Sequence, residues 1–159
     1  MTTGAIYGNF RNRDDLFIAL GHAYWAPIRP KVKGGATFSE IMQAMAEATI
    51  AVIPDRAAAI VGRLTGMAYA IANEGMRARV AQTTANSYEF GAAWLRAVVR
   101  SAELPMPADH LVRVIHALTE GLTIQRVMTP ELVSDDVIRD AFAALARPRW
   151  NDPDLAASS

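Results

Sequence analysis

The sequence predicts an all-helical bundle, and three observations carry that prediction. Apolar residues recur three and four positions apart, which is the spacing of one helix face. The 10 glycines and 8 prolines of the 159 residues fall mostly between these apolar segments, and no alternating strand pattern occurs. With 52% hydrophobic residues the chain has enough apolar mass to form a core.

The chain opens with a very short predicted helix that is followed at once by another. Thr2 or Thr3 can cap the first, and Asn12, three residues before Asp15, can cap the second. Pro27 ends this second helix because it removes a hydrogen-bond donor and restricts the residue before it. A helix as short as the first is unstable alone, so we expect it to lean on another surface.

Three further helices are predicted in the middle of the chain. Thr37 and Glu40 form a capping box that starts one of them. Pro54 suits the first turn of another, which "NEG" at 73–75 ends. We expect the longest helix to run from residue 76 to about residue 100.

The C-terminal part contains the last two predicted elements. "ELPMP" precedes a helix over residues 107–128, which Pro130 closes, and Ser134 caps the final helix. These bring the total to six helices after the short opening one. The end of the chain, "RPRWNDPDLAASS", is interpreted as a frayed tail.

Composition narrows the classes of partner. Sixteen basic and sixteen acidic residues cancel, but residues 1–33 hold five basic residues against two acidic ones, an excess of three that weakly suits an anionic partner. Cysteine is absent, which excludes disulfides and thiol catalysis. No apolar run is long enough for a bilayer and no signal-peptide pattern is present, so we expect a cytoplasmic protein without a membrane partner.

Enzyme classes find little support in the residues. His22, His110 and His116 are scattered, and no zinc-protease, nucleophile-elbow or phosphate-loop motif occurs. The acidic pairs at 14–15 and 135–136 stand in first helical turns, where the helix dipole favours them. We therefore expect neither an enzyme nor a bound metal or cofactor.

The opening helix has a surface suited to nucleic acid. Ile6 and Phe10 lie four apart and would pack inward. The other positions are small or polar, and Gly8 lets the backbone come close to a groove. Arg13 then adds a cation beside the N-terminal amides of the next helix, which themselves attract phosphate.

The stretch "MTTGAIYGNFRNRDDL" resembles the recognition helix and following helix start of the tetracycline-repressor (TetR) family of bacterial transcription regulators. Two positions depart conservatively, with Asn9 where the family usually has histidine and Arg13 where it has lysine. A second, softer resemblance links "ALTEGLTIQRVMTPELVSDDVIRDAFAAL" to the dimerisation segment of the family. The positions in register at the start are Met1, Thr2, Gly4, Ile6, Tyr7, Phe10, Asp14, Asp15 and Leu16.

The TetR resemblance implies three regions and a set of DNA contacts. Residues 1–26 would belong to a helix-turn-helix domain, residues 37–147 to a C-terminal ligand-binding and dimerisation domain, and residues 148–159 to a flexible tail. Tyr7, Asn9 and Arg13 would contact phosphates, and smaller residues would reach the bases. The DNA-binding candidates are Thr2, Thr3, Gly4, Ala5, Tyr7, Gly8, Asn9 and Arg13.

The resemblance also implies a pocket for a small effector among the middle helices. Few charged residues fall there, so we expect an apolar or weakly polar effector rather than a multiply charged one. The alternative is that the aromatic and methionine side chains are ordinary core residues. The pocket candidates are Trp25, Met42, Met45, Met67, Tyr69, Tyr88 and Trp94.

A homodimer is expected through the last two helices. Ala117 and Gly121 lie four apart and would let a second helix come close. The alternative is that this surface packs within one chain. The dimerisation candidates are Ala117, Leu118, Gly121, Leu122, Ile124, Ile138, Phe142 and Leu145.

In the TetR family two further helices precede the recognition helix, and here the sequence starts at the turn itself. Met1 would then be an internal methionine chosen as a start, or the chain would be truncated. We expect the chain as given to bind DNA weakly or not at all, and an upstream-extended form to bind specifically.

The sequence thus predicts a ligand-responsive, DNA-binding transcription regulator, most often a repressor. The alternative is a DNA-independent small-molecule-binding or dimerisation module. An in-frame upstream stretch containing an amphipathic helix would favour the regulator, whereas an in-frame stop would favour the module.

Overall fold

A computed structural model describes residues 12–100 and 103–147, without the side chains of Arg13, His22 and Tyr24. This part of the chain holds five α-helices and no strand, which confirms the predicted all-helical class. The short opening helix and the tail lie outside the described residues. The helices are α1 (Arg13–Tyr24), α2 (Phe38–Ala72), α3 (Glu74–Val98), α4 (Ala108–Met128) and α5 (Asp135–Leu145).

The three capped helix starts that the sequence predicts, at Asn12, Thr37 and Ser134, are confirmed by their hydrogen bonds. The side chain of Asn12 accepts from the Asp15 N–H at 2.9 Å. Thr37 and Glu40 form a complete capping box, with the Glu40 carboxylate accepting from the Thr37 N–H at 2.8 Å, and these bonds from Thr37 lower the pKa of Glu40. Ser134 caps α5. Each cap satisfies an N–H group that the helix itself leaves without an acceptor.

The prediction of two separate helices around Pro54 is wrong. Helix α2 runs through Pro54 for 35 residues, and it rather than the segment from residue 76 is the longest helix described. Proline cannot donate to the carbonyl four residues earlier. Packing overrides this local cost because the half before Pro54 contributes to the main core and the half after it contacts α1.

The predicted break at 73–75 is confirmed in a narrower form. Asn73 has an extended backbone, with φ −127° and ψ 110°, and alone separates α2 from α3. Its side-chain amide donates to the Tyr69 carbonyl at 2.8 Å. The chain therefore reverses direction with a single non-helical residue.

The main core lies between the N-terminal half of α2, the C-terminal end of α3, α4 and α5. Helix α5 has only 11 residues, and two ion pairs fasten it to its neighbours. Arg139 pairs with Glu47 of α2 at 2.7 Å, and Arg126 of α4 pairs with Asp135 at 2.9 Å. The buried apolar residues of this core are Phe38, Ile41, Met42, Met45, Ala46, Ala92, Leu95, Val99, Ala108, Leu111, Ile115, Ile138 and Phe142.

Helices α3 and α4 approach closely at Gly91. A Cβ atom on Gly91 would lie 2.5 Å from Cγ2 of Val112, nearer than side chains tolerate. Valine is restricted to essentially one rotamer in a helix, so it cannot easily turn aside. None of the helices described is long and apolar enough to cross a bilayer.

Candidate ligand-binding cavity

A cavity of about 1110 Å³ lies between α1, α2, α3 and α4, beside the segment of residues 25–30. Ligand cavities usually measure 300–1,000 Å³, so a small molecule fits this space. Most of the wall is apolar. Its apolar side chains include Phe17, Ile18, Leu20, Ile28, Ile41, Met42, Met45, Met76, Val80, Trp94, Leu95, Val112 and Ile115.

Five of the seven predicted pocket residues line this cavity, namely Trp25, Met42, Met45, Tyr88 and Trp94.

Met67 and Tyr69 do not line the cavity, which corrects the prediction for these two residues. The hydroxyl of Tyr69 instead donates to Oδ1 of Asp14 at 2.9 Å, and its ring lies 5.4 Å from that of Phe17. Tyr69 therefore ties α2 to the start of α1. The face of α2 that lines the cavity passes through Ala59, Gly62, Arg63 and Gly66.

One end of the cavity is polar, and Arg56 is its most buried charge. Only 6% of Arg56 is exposed. Its Nη2 donates to the Ala26 carbonyl at 3.0 Å, and its Cζ lies 4.7 Å from the Trp25 ring centroid. Burial lowers the pKa of Arg56, since desolvation disfavours the charged form.

Arg63 lies two helical turns after Arg56 and has a carboxylate partner. Its Nε and Nη2 both donate to Oε1 of Glu120, at 2.8 and 2.5 Å. The Arg63 Cζ also lies 5.2 Å from the Trp25 centroid. The Trp25 ring thus contacts two guanidinium groups, an arrangement favoured by the negative face of an aromatic ring.

His116 and Tyr88 complete the polar end. The Tyr88 hydroxyl and Nδ1 of His116 are hydrogen-bonded at 2.7 Å, with the rings edge to face. Nε2 of His116 lies 4.0 Å from Oε2 of Glu120. Burial lowers the pKa of His116 and raises that of Tyr88, so both groups are held in their neutral forms.

The indole Nε1 of Trp25 is buried and has no hydrogen-bond acceptor within the described part of the chain. Buried indole N–H groups normally have a partner. Trp25 is one of the residues that line the cavity, and both arginines contact its indole ring.

Sequence reasoning missed Arg56, Arg63, His116 and Glu120. Two spacings could have indicated them: the arginines are seven apart on α2, and His116 precedes Glu120 by four on α4, so each pair shares a helix face. Neither spacing indicates that the two faces meet around Trp25.

The predicted DNA contacts from Thr2 to Asn9 lie outside the described residues. Arg13 is the first residue of α1, but its side chain also lies outside them. Within residues 12–100 and 103–147, no three histidine or acidic side chains come together as metal ligands would.

The predicted dimerisation surface needs a correction. Ile138 and Phe142 are both 0% exposed and belong to the chain's own core. They point inward because α5 is short and stabilises itself by burying its apolar stripe against α2. Leu118, Leu122 and Leu145 also pack against that core, Ile124 is half-buried, and Ala117 and Gly121 are exposed.

No family model matches the chain, and no curated protein and no solved structure matches it.

Proposed function

We propose that the protein is a ligand-responsive transcription regulator of TetR type, acting in the cytoplasm as a homodimer and most simply as a repressor. One observation carries the proposal: α1, which follows directly on the stretch that resembles a recognition helix, forms part of the cavity wall. Phe17, Ile18, Leu20 and Gly21 of α1 all line the cavity.

The contacts of α1 suit it to transmit the presence of a ligand. Its first turn is held by Asp15, which pairs with Arg79 of α3 at 2.8 Å, and by Asp14, which accepts from Tyr69. Its later residues face the cavity. A ligand that pushes on the later residues would tilt α1 about these attachments and shift the preceding DNA-contacting segment.

A second copy of the chain is the proposed partner on α4. Ala117 and Gly121 are exposed, as is much of Val114 at 37%. A Cβ atom on Gly121 would meet no atom within 4 Å, so nothing in the chain itself requires a glycine there. Small residues four apart on an exposed face permit close approach of another helix.

The second candidate function is a DNA-independent small-molecule-binding module. The cavity alone favours it, because a cavity of this size and lining suits a ligand whether or not the chain contacts DNA. DNA binding is the property that separates the two candidates.

The test of the regulator is selection from a random duplex library, followed by anisotropy titration at several salt concentrations. It is run on the 159-residue chain and on any form with an in-frame upstream extension. Arg13→Ala should flatten the dependence of log K on log salt by about one unit, since one phosphate contact is lost. Arg100→Ala, at an exposed arginine, is the matched control. Failure of every form to select a sequence would favour the module.

The test of the homodimer is light scattering on Gly121→Leu. We expect the variant to lose the dimer and to keep its circular dichroism spectrum. Gly75→Leu is the control, because Gly75 is also exposed and a Cβ there also meets no atom within 4 Å. A monomeric wild-type chain, or a dimeric Gly121→Leu, would contradict the proposed interface.

A further inference from the structure

At the polar end of the cavity, the positive charges of the described residues outnumber the negative charges by one. Two guanidinium groups, those of Arg56 and Arg63, stand beside one carboxylate, that of Glu120. Glu120 bonds directly to Arg63. His116 adds little charge near neutral pH, because partial burial lowers its pKa although 44% of its side chain is exposed.

Arg56 has no direct counter-ion among the described residues. It is 6% exposed and forms no ion pair with any carboxylate there, and the charge of Glu120 acts on it only from beyond ion-pair distance. Its single hydrogen bond goes to the Ala26 carbonyl. A buried charge without an opposite charge is costly, so a negative group from outside the chain would be strongly favoured at this point.

A second donor stands beside Arg56 with no acceptor. The Nε1 of Trp25 is buried and unpaired among the described residues, and the guanidinium of Arg56 lies over the same indole ring. A planar carboxylate can accept from a guanidinium in a fork-like geometry and still offer a lone pair to a further donor.

The remaining wall suits an apolar body. Met42, Met45, Trp94 and Leu95 line the cavity, and methionine adapts to ligands of irregular shape. Arg29 also lines the cavity, but it is exposed and lies over the Phe90 ring. Beside Arg56, a second negative charge on the ligand would be repelled by Glu120. An uncharged ligand could accept hydrogen bonds there but would leave the charge of Arg56 without a counter-charge.

We propose that the cavity binds an amphipathic monoanion, with its carboxylate-type headgroup on Arg56 and the Trp25 indole N–H and its apolar body against Met42, Met45 and Trp94. This ligand class rests on the proposed function only in that the cavity is taken as its effector site. The proposal refines the expectation of a weakly polar effector by assigning it one negative charge.

The test compares two fluorescent dyes that differ by one anionic group. 8-Anilinonaphthalene-1-sulfonate carries an apolar body and one negative charge, and N-phenyl-1-naphthylamine has the same rings without the sulfonate. We expect the anionic dye to bind the full chain at one site, with a dissociation constant at least about tenfold lower than that of the neutral dye. Displacement should be at least about tenfold more effective with 1-naphthoate than with 1-naphthamide.

Arg56→Met locates the headgroup. It should weaken binding of the anionic dye by about tenfold or more and change binding of the neutral dye by less than about twofold. Arg113→Met is the matched control, since Arg113 also lies over an aromatic ring, at 5.4 Å from Tyr88, but does not line the cavity. Should Arg56→Met fail to fold, Arg56→Lys keeps the charge without the fork and should weaken only the anionic dye.

Trp25→Phe examines the second donor. It should weaken binding of the anionic dye by about three- to fivefold and leave binding of the neutral dye nearly unchanged. The effect is smaller than that of the Arg56 variant because a neutral donor contributes less than a charged one.

Three results would overturn the proposal: no saturable site for the anionic dye, equal affinity of the two dyes for the wild-type chain, or equal weakening of both dyes in the Arg56 variant. Since no DNA is present, these results leave the DNA titration untouched. Failure of DNA binding would likewise leave the dye result standing.

Discussion

The two halves of α2, before and after Pro54, are both helical, but their side chains are buried to different extents. Before Pro54, residues such as Ile41, Met42 and Thr49 are 0% exposed. After Pro54, Val61 and Ile71 are 73% and 77% exposed. The first half is a central element of the core and also contributes a few side chains to the cavity wall, whereas the second half forms one side of the cavity and is more exposed.

The difference places most of the core packing in the first half of α2 and the charged part of the cavity wall in the second half. The first half packs with α4 and α5 in the core and reaches the cavity through a few apolar side chains, among them Met42 and Met45. The second half contacts α1 and supplies Arg56 and Arg63 to the cavity. Elements with few buried apolar contacts are the ones that open or shift at low cost, so we expect ligand-induced movement in the second half.

The largest expected effect is in the core that the first half of α2 shares with α5. Phe142→Ala removes a side chain that is 0% exposed and should lower the free energy of unfolding by about 3–5 kcal/mol in urea denaturation. Phe90→Ala is the matched control at a ring that is 58% exposed, where we expect a loss below about 1 kcal/mol. Similar losses for both variants would mean that the two regions do not differ as described.

The next largest change in the free energy of unfolding is expected at Pro54, between the two halves of α2. Pro54→Ala supplies the N–H that the helix lacks there, and should raise the free energy of unfolding by about 1–3 kcal/mol. Pro130→Ala lies in the turn between α4 and α5 and should lower it slightly, because it only loosens the unfolded chain. A destabilised Pro54→Ala would indicate that the proline is needed to seat both halves of α2.

Alanine substitutions at two helical glycines test how tightly α3 and α4 are packed, because one glycine lies at their contact and the other has free space beside it. Alanine at Gly91 would meet Val112, whereas alanine at Gly62, inside α2, would meet nothing. Both variants gain the same helix propensity, so this gain cancels in the difference. We expect the free energy of unfolding of Gly62→Ala to exceed that of Gly91→Ala by about 1–3 kcal/mol. Equal values would show that α3 and α4 can separate without cost.

The smallest effect is a pH dependence from the cavity end. Burial lowers the pKa of His116 in the folded chain, Glu120 opposes this, and Arg63 and Arg56 reinforce it. The unfolded chain then binds the proton more readily, so this contribution to stability is present above the usual pKa of 6.5 and is lost as the pH falls towards the folded-state value.

His116→Gln should remove that loss, which thermal unfolding at a series of pH values between about 5 and 8 would measure. His110→Gln, at a histidine that does not line the cavity, should keep it. An unchanged pH profile in the His116 variant would contradict the assignment.

Much of the architecture could be predicted from local signals. Asn12, Thr37 and Ser134 start helices because each satisfies an N–H group three residues on. The prediction that a helix boundary lies at Pro54 was wrong because it considered only the local effect of proline and not the packing on either side of it. The prediction that Ile138 and Phe142 lie in a dimer interface was wrong because an apolar stripe in the sequence does not indicate whether it packs within its own chain or against a second copy.

In the cavity, too, some residues could be predicted from the sequence and others could not. Trp25, Met42, Met45, Tyr88 and Trp94 could be predicted because large, adaptable apolar side chains cluster where ligands bind.

The Arg63–Glu120 pair could not be predicted, since its partners lie 57 positions apart in the sequence.

The sequence by itself determined the helical class, the helix starts and the chemical character of each face, because caps and periodicity act within about four residues. Only the tertiary structure decided which apolar stripes are core, where the cavity lies and that Glu120 pairs with Arg63 rather than with Arg56. Burial and charge pairing depend on residues that are distant along the chain, and their energies are set by what meets in space.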